Sequence, residues 1–246
     1  MAADHRIDYD GEISERYADG RRLSPEAAAT WRAAIGPLVP PHSPVLDIGA
    51  GTGRFSRLLD ELAPGRVVAL EPAFGMARWL ERGSAVSGAA EALPVRSRSV
   101  GLVWSAFTTH YFDLDAAAQE FERVLDRGGE VAIWHAFPDV FGELEWFRWF
   151  PTARSVDERR MPSAERVIDS FAAHGLRFIA RSAHRMLIAP DLVALAERLA
   201  NRSISTLHLI SDEEFDAGLA QLRAHATATP PAPVYAPNVL LRFGAA

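Results

Sequence analysis

The chain has no cysteine, which excludes a thiolate nucleophile, a thiolate metal site and a disulfide framework. It has no lysine either, so all 26 basic residues are arginine, scattered without a long run. Abundant alanine accompanies this bias, and the pair reads as the codon usage of a GC-rich genome rather than functional avoidance of lysine. No apolar window is long enough to cross a bilayer. Residues 1–10 are polar and acidic, without the apolar core of a secretory signal, and the expectation is a cytoplasmic protein. A net charge of −6 without a concentrated basic surface argues against a nucleic-acid partner, because phosphate neutralisation needs clustered cations. No G-x-S-x-G elbow occurs, so Ser-His-Asp hydrolysis has no support. What remains is 246 residues with 48% hydrophobic and 24% charged content, enough for the core of one large α/β domain.

The most informative stretch is Val45-Leu46-Asp47-Ile48-Gly49-Ala50-Gly51-Thr52-Gly53-Arg54-Phe55-Ser56. A short apolar run after Pro40, Pro41 and Pro44 reads as a strand entering a parallel sheet. The glycines let the backbone turn tightly and approach a ligand, and the amides opening the next helix point at it. A dinucleotide fingerprint is G-x-G-x-x-G, but Arg54 stands where its third glycine would be. The hairpin therefore suits an adenosine ligand without a pyrophosphate, and a nicotinamide-dependent oxidoreductase is disfavoured. Glu71 ends the next strand, eighteen positions after Gly53. It is either a solvated acid or an acceptor for both ribose hydroxyls.

Along the chain, Ser24-Pro25 opens a helix that runs to Leu38. A helix follows the hairpin and closes at Pro64-Gly65, and residues 66–70 are a second strand. Residues 73–82 read as a helix, 85–88 as a short strand, 100–107 as a strand, 115–125 as a helix and 130–136 as a fifth strand after a Gly128-Gly129 turn. Alternating strands and helices predict a doubly wound sheet whose ligands sit beyond the strands' carboxyl ends. Residues 138–162 have no strand pattern and are rich in aromatics. Residues 163–174 read as a helix and 176–188 as a sixth strand. Residues 191–200 and 211–225 read as helices, with Ser211 and Glu214 forming a capping box. Residues 229–237 are an extended Pro-rich connector and 238–243 a last strand. The expected layout is one domain: 1–40 N-terminal cap helices, 41–136 cofactor core, 137–162 aromatic insert over the substrate, and 163–246 completing the sheet.

These motifs resemble the class I S-adenosylmethionine-dependent methyltransferases, whose first motif has the form [V/L]LD[I/L]GxGxG. Gly88-Ala89-Ala90-Glu91-Ala92-Leu93-Pro94 is similar to the family's G-D-A-E-x-L-P segment, with Ala89 in place of the acid. Arg123-Val124-Leu125-Asp126-Arg127-Gly128-Gly129 resembles its R-V-L-K-P-G-G turn, with departures at Asp126 and Arg127. The resemblance implies a seven-stranded, mostly parallel sheet with the last strand antiparallel. It implies S-adenosylmethionine as cofactor and S-adenosylhomocysteine as product. The implied cofactor residues are Tyr17, Arg21, Asp47, Gly49, Ala50, Gly51, Gly53, Glu71, Pro72, Ala90, Glu91 and Ser105. Arg21, beside Tyr17, suits a methionine carboxylate because its planar fork binds both oxygens; a frayed arm is the alternative. Glu91 either contacts adenine or acts as a charge at a helix N-terminus. The same fold also hosts S-adenosylmethionine-bound cyclases and regulatory proteins that transfer no methyl.

His110 and His135 follow strands four and five and are the candidate general bases, His135 ahead because it ends its strand; each is otherwise structural. Trp146, Trp149 and Phe150, at helix-face spacing, either pack the core or line a pocket for a hydrophobic or aromatic small molecule. No [D/N/S]-P-P-[Y/F/W] follows strand four, so base or amide nitrogen methylation is unsupported. Asp113 and Asp115 alone do not make a metal site.

Overall fold

A computed structural model describes residues 23–80, 85–202 and 204–245. Its strands are β1 Val45–Ile48, β2 Val67–Leu70, β3 Ala85–Val86, β4 Val100–Ala106, β5 Leu125–His135, β6 Leu176–Ala189 and β7 Val234–Ala245. They form one seven-stranded sheet in the order β3-β2-β1-β4-β5-β7-β6. The first five pair in parallel, and β7 lies antiparallel between β5 and β6. The helices are α1 Pro25–Ile35, α2 Arg54–Leu62, α3 Phe74–Ala77, α4 Leu114–Val124, α5 Pro151–Arg160, α6 Ala164–Ala173, α7 Leu192–Ala200 and α8 Asp212–Ala228.

The central strands read as continuous apolar runs because both of their faces are covered. Successive residues feed opposite cores. Val103, Val131 and Ile133 join Phe121 of α4 and Phe171 of α6 on one face. Leu102, Trp104, Ala132 and Trp134 join Trp31 of α1 and Phe55 of α2 on the other. There Trp31 stacks on Phe55 with centroids 4.1 Å apart and meets Trp104 edge-on at 4.4 Å. That aromatic cluster seats the start of α2, and so the glycine hairpin before it, against the sheet.

Several boundaries differ from the sequence expectation for local reasons. The described part of the 73–82 helix is the single turn α3, which has no side-chain cap. The Gly128-Gly129 pair lies inside β5, where pairing with β4 passes from Val100↔Leu125 to Leu102↔Glu130; Gly128, at φ +86°, carries the extra residues as a bulge. The Pro-rich connector becomes strand from Val234, because β6 runs long enough to pair it. Ser211 caps α8 by accepting the Glu214 N–H at 3.1 Å. The reciprocal half of the capping box is absent, since the Glu214 carboxylate instead accepts the Thr152 N–H at 2.9 Å.

That bond ties α8 to α5 in a third layer with its own core, where Phe141, Trp146, Phe150, Leu195, Leu207 and Leu222 pack together. This cap covers the carboxyl end of the sheet. Residues 145–148 are a 3-10 turn, not an α-helix, so the α-helical spacing that groups Trp146, Trp149 and Phe150 does not apply here. Trp149 and Phe150 press on α8 at Gly218, where an added Cβ would come within 2.7 Å of Phe150 Cε1 and closer still to the Trp149 carbonyl. Gly218→Ala is expected to cost about 1–3 kcal/mol by overpacking. Gly142→Ala, with open space around it, is expected to stay within about 0.5 kcal/mol of the parent. Urea denaturation of both variants checks the contrast.

Candidate active site

The hairpin between β1 and α2 is built from left-handed glycines, Gly49 at φ +66°, Gly51 at φ +58° and Gly53 at φ +82°, a conformation that L side chains resist. At Gly49 a second constraint applies, because a Cβ would come within 2.6 Å of Thr108 Cγ2. The Gly49 and Ala50 N–H groups donate to the Leu70 carbonyl at 2.8 and 3.0 Å, locking the hairpin to the end of β2. Immediately beyond, Glu71 accepts the Gly51 N–H on Oε2 at 2.8 Å and the Ala73 N–H on Oε1 at 3.0 Å. The carboxylate is 7% exposed and stands in the wall of a cavity of about 590 Å³.

The rest of that cavity has a polar edge and an apolar slot. Gly49, Ala50, Gly51 and Pro72 line it with Glu71, while Met76, Ala90 and Phe112 supply apolar surface. Glu91 also lines it, and its carboxylate accepts the N–H of Asp113, the cap of α4, at 2.8 Å. Glu91 thus stands at the cavity rim and against a helix N-terminus.

Asp47, Gly53 and Ser105 stand behind this wall rather than in it. Ser105 Oγ lies 2.6 Å from Thr108 Oγ1, supporting the residue that abuts Gly49. Gly53 is the N-cap of α2. Asp47 is buried and accepts the Ser56 hydroxyl at 2.6 Å, joining β1 to the first turn of α2. Burial drives its carboxyl up to about 7, with the nearby Glu71 charge adding to the effect and the Ser56 hydrogen bond opposing it. Tyr17 and Arg21 lie outside the described residues.

A second cavity of about 160 Å³ adjoins the first, and Arg54, Phe107 and Tyr111 line both. Phe107 holds φ +60°, costly for a bulky residue and typical of functional sites; its N–H donates to the Trp134 carbonyl at 2.9 Å. Arg54 lies over the Phe55 ring at 4.3 Å. Both candidate bases, His110 and His135, line this smaller cavity. His135 Nδ1 is 2.9 Å from the Ala136 carbonyl and must donate to it, which makes Nε2 its acceptor. His110 Nδ1, 3.4 Å from that Nε2, is then the donor of the pair. Burial pulls His135 down to about 4, opposed only by the Ala136 hydrogen bond, and it is neutral at pH 7. Of the three aromatic candidates, Trp146 lines this cavity, whereas Trp149 and Phe150 are cap packing.

Sequence reasoning missed Met76, Phe107, Tyr111 and Phe112, which line the larger cavity, and Asp157 and Arg198, which line the smaller. Phe107 and Tyr111 follow β4 and flank the proposed His110, the only sequence signal they carry. Asp157 had none, because its helix reads as polar.

Residues 46–133 match the protein family described as "Methyltransferase domain". Over 156 residues the chain is 40% identical to a malonyl-[acyl-carrier protein] O-methyltransferase of Methylococcus capsulatus, a match covering 60% of this chain and 55% of that enzyme. Over 203 residues it is 29% identical to the enzyme of the same name from Pectobacterium atrosepticum, covering 79% of this chain and 75% of that one. The chain thus spans about half the length of the first of these relatives. A solved structure from Anabaena variabilis, described as a methyltransferase from an antibiotic biosynthesis pathway, superposes with a TM-score of 0.67 at 22% identity, covering 88% of this chain and 97% of that one. Sheet order and glycine hairpin agree with that family match, which lies over the first five strands of the sheet.

Asp47 gives this site a pH signature. Its carboxyl ionises near 3.8 when unfolded but near 7 when folded, so between those values only the folded state keeps the proton. Stability from this group therefore falls as pH rises from about 4 to about 7, then levels. Asp47→Asn, which keeps an acceptor for Ser56, is expected to match the parent near pH 4 and to exceed it by about 1 kcal/mol or more near pH 8. Urea denaturation across that range measures the gap, and a gap that closes with rising pH contradicts the assignment.

Proposed function

We propose that the chain transfers a methyl group from S-adenosylmethionine to a small acceptor with an apolar body. The observation that carries this reading is the wall shared by the two cavities, where Arg54, Phe107 and Tyr111 separate a carboxylate-bearing pocket from a histidine-bearing one. The larger cavity fits the cofactor by its donor set. Glu71 is a buried acceptor for ribose hydroxyls, Gly51 leaves open space where a side chain would project, and Met76, Ala90 and Phe112 offer apolar surface to an adenine ring. When bound, S-adenosylmethionine supplies a methyl group made electrophilic by its sulfonium. The protein's task is then mainly to orient the acceptor and exclude water.

Where the acceptor atom bears a proton, His110 is the base. With its Nδ1–H given to His135, its Nε2 is the atom left to take a proton, and because that nitrogen is enclosed in the structure, an acceptor must displace its cover to reach it. Protonation there leaves a cation whose Nδ1–H still donates to neutral His135. His135 acts through this contact, as the fixed acceptor that sets the tautomer of His110. The aliphatic and aromatic wall of the smaller cavity, with Trp146, Leu144 and Ile188, favours a hydrophobic body.

Incubation of the protein with labelled S-adenosylmethionine and candidate acceptors tests the reading, with S-adenosylhomocysteine expected in proportion to acceptor consumed. Glu71→Gln is expected to weaken S-adenosylhomocysteine binding about tenfold or more, as loss of hydrogen bonds to a charged group does, and calorimetry reads it. His110→Ala is expected to lower kcat about 100-fold or more for a hydroxyl acceptor, with the KM for S-adenosylmethionine little changed. Retained turnover across pH removes His110 from the base role.

A further inference from the structure

The smaller cavity has a charged group that the transfer reaction does not use. Asp157, from α5 of the cap, lines it and is 5% exposed. Its two protein contacts both fall on one oxygen: Thr206 donates to Oδ1 at 2.6 Å, and Arg160 Nη1 stands 3.6 Å from the same atom. Among the described residues no hydrogen bond reaches Oδ2. A carboxylate oxygen that no protein donor reaches is costly to keep inside the fold, and the space beside this residue is a cavity. The surrounding wall is mostly apolar, including Phe141, Leu144, Met161 and Leu195.

We propose that Asp157 is the specificity residue of this cavity, its Oδ2 accepting a hydrogen bond from a neutral hydroxyl or amino group on a compact, ring-sized acceptor. This rests on the reading of the smaller cavity as the acceptor site. Size supports a single ring, since about 160 Å³ is close to the roughly 150 Å³ apolar cavity that holds benzene. Charge supports a neutral donor. Arg160 already faces the carboxylate and Arg198 stands in the same wall, its Nη1 donating to the Ile188 carbonyl at 2.8 Å, so an added cation would meet two guanidinium groups. Burial raises the Asp157 carboxyl to about 6, with Thr206 and Arg160 opposing the shift, which leaves it mostly ionised and a strong acceptor at pH 7.5.

Phenol and toluene are probes of nearly equal shape that differ in the donor. Calorimetric titration of each into the full chain, with and without S-adenosylhomocysteine, needs no turnover. In Asp157→Asn, phenol affinity is expected to fall about tenfold or more, as for a hydrogen bond to a charged group. Toluene affinity, which reports an intact cavity, is expected to hold within about twofold. An unchanged phenol affinity in Asp157→Asn, or a loss seen in His110→Ala instead, overturns the proposal. A crystal of the unmutated protein soaked in phenol tests it without any variant. The hydroxyl is expected at hydrogen-bond distance from Oδ2, and a hydroxyl on the histidine pair or an empty cavity overturns it. Failure of S-adenosylhomocysteine to bind would count against the methyl-transfer reading alone, because the probe titrations stand without it.

Discussion

Glu71 is held from two sides, by the N–H of Gly51 in the hairpin after β1 and by the N–H of Ala73 just beyond β2. A buried carboxylate is stable only with such donors, and the donors are in place only because left-handed glycines turn the hairpin back over the end of β2. The position of the larger cavity, the approach of Thr108 to Gly49 and the start of α2 all follow from this bridge. The two amides bind and aim a charge that the apolar sheet could not otherwise keep. Behind it, Asp47 makes the same connection from below, through Ser56, and its proton is retained to about 7 so that two adjacent acids need not both be charged.

The second half of the site depends on the cap. Strand β5 ends at His135 in the plane of the sheet, and the 3-10 turn Thr109–Tyr111 after β4 brings His110 against it. Burial keeps His135 neutral, and its Ala136 hydrogen bond sets which nitrogen accepts. The cap then closes over this pair with Trp146 and Leu144 on the apolar side and Asp157 on the polar side. Tyr111 touches both halves: it lines each cavity, packs at a tilt against the His110 ring with centroids 4.0 Å apart, and accepts from Arg160 at 3.5 Å on its hydroxyl.

The cofactor half was legible because each of its requirements is local. A strand, a tight glycine turn and an acid at the next strand end are written in consecutive residues, and parallel pairing of β1 with β2 then brings Glu71 to Gly51 without further information. The doubly wound parallel sheet was legible in the regular alternation of strand and helix, and the antiparallel last strand through the family resemblance. The smaller cavity was only partly legible. Trp146, Trp149 and Phe150 look equivalent in sequence, and a 3-10 turn followed by the close approach to Gly218 sends one to the cavity and two into packing. His110 and His135 were named from their places after two strands, and the structure sets them side by side in one cavity, but their different burial and tautomers were not readable. Asp157 was invisible, because its burial is imposed by Thr206, forty-nine positions away.

On the reading proposed above, adenosine binds at the Glu71 bridge with its reacting end toward the wall shared by the two cavities. A crystal structure with S-adenosylhomocysteine bound tests it most directly. Both ribose hydroxyls are expected on the Glu71 carboxylate, with the sulfur facing Phe107 and Tyr111. A ligand that leaves Glu71 uncontacted, or that turns its sulfur away from the smaller cavity, contradicts it.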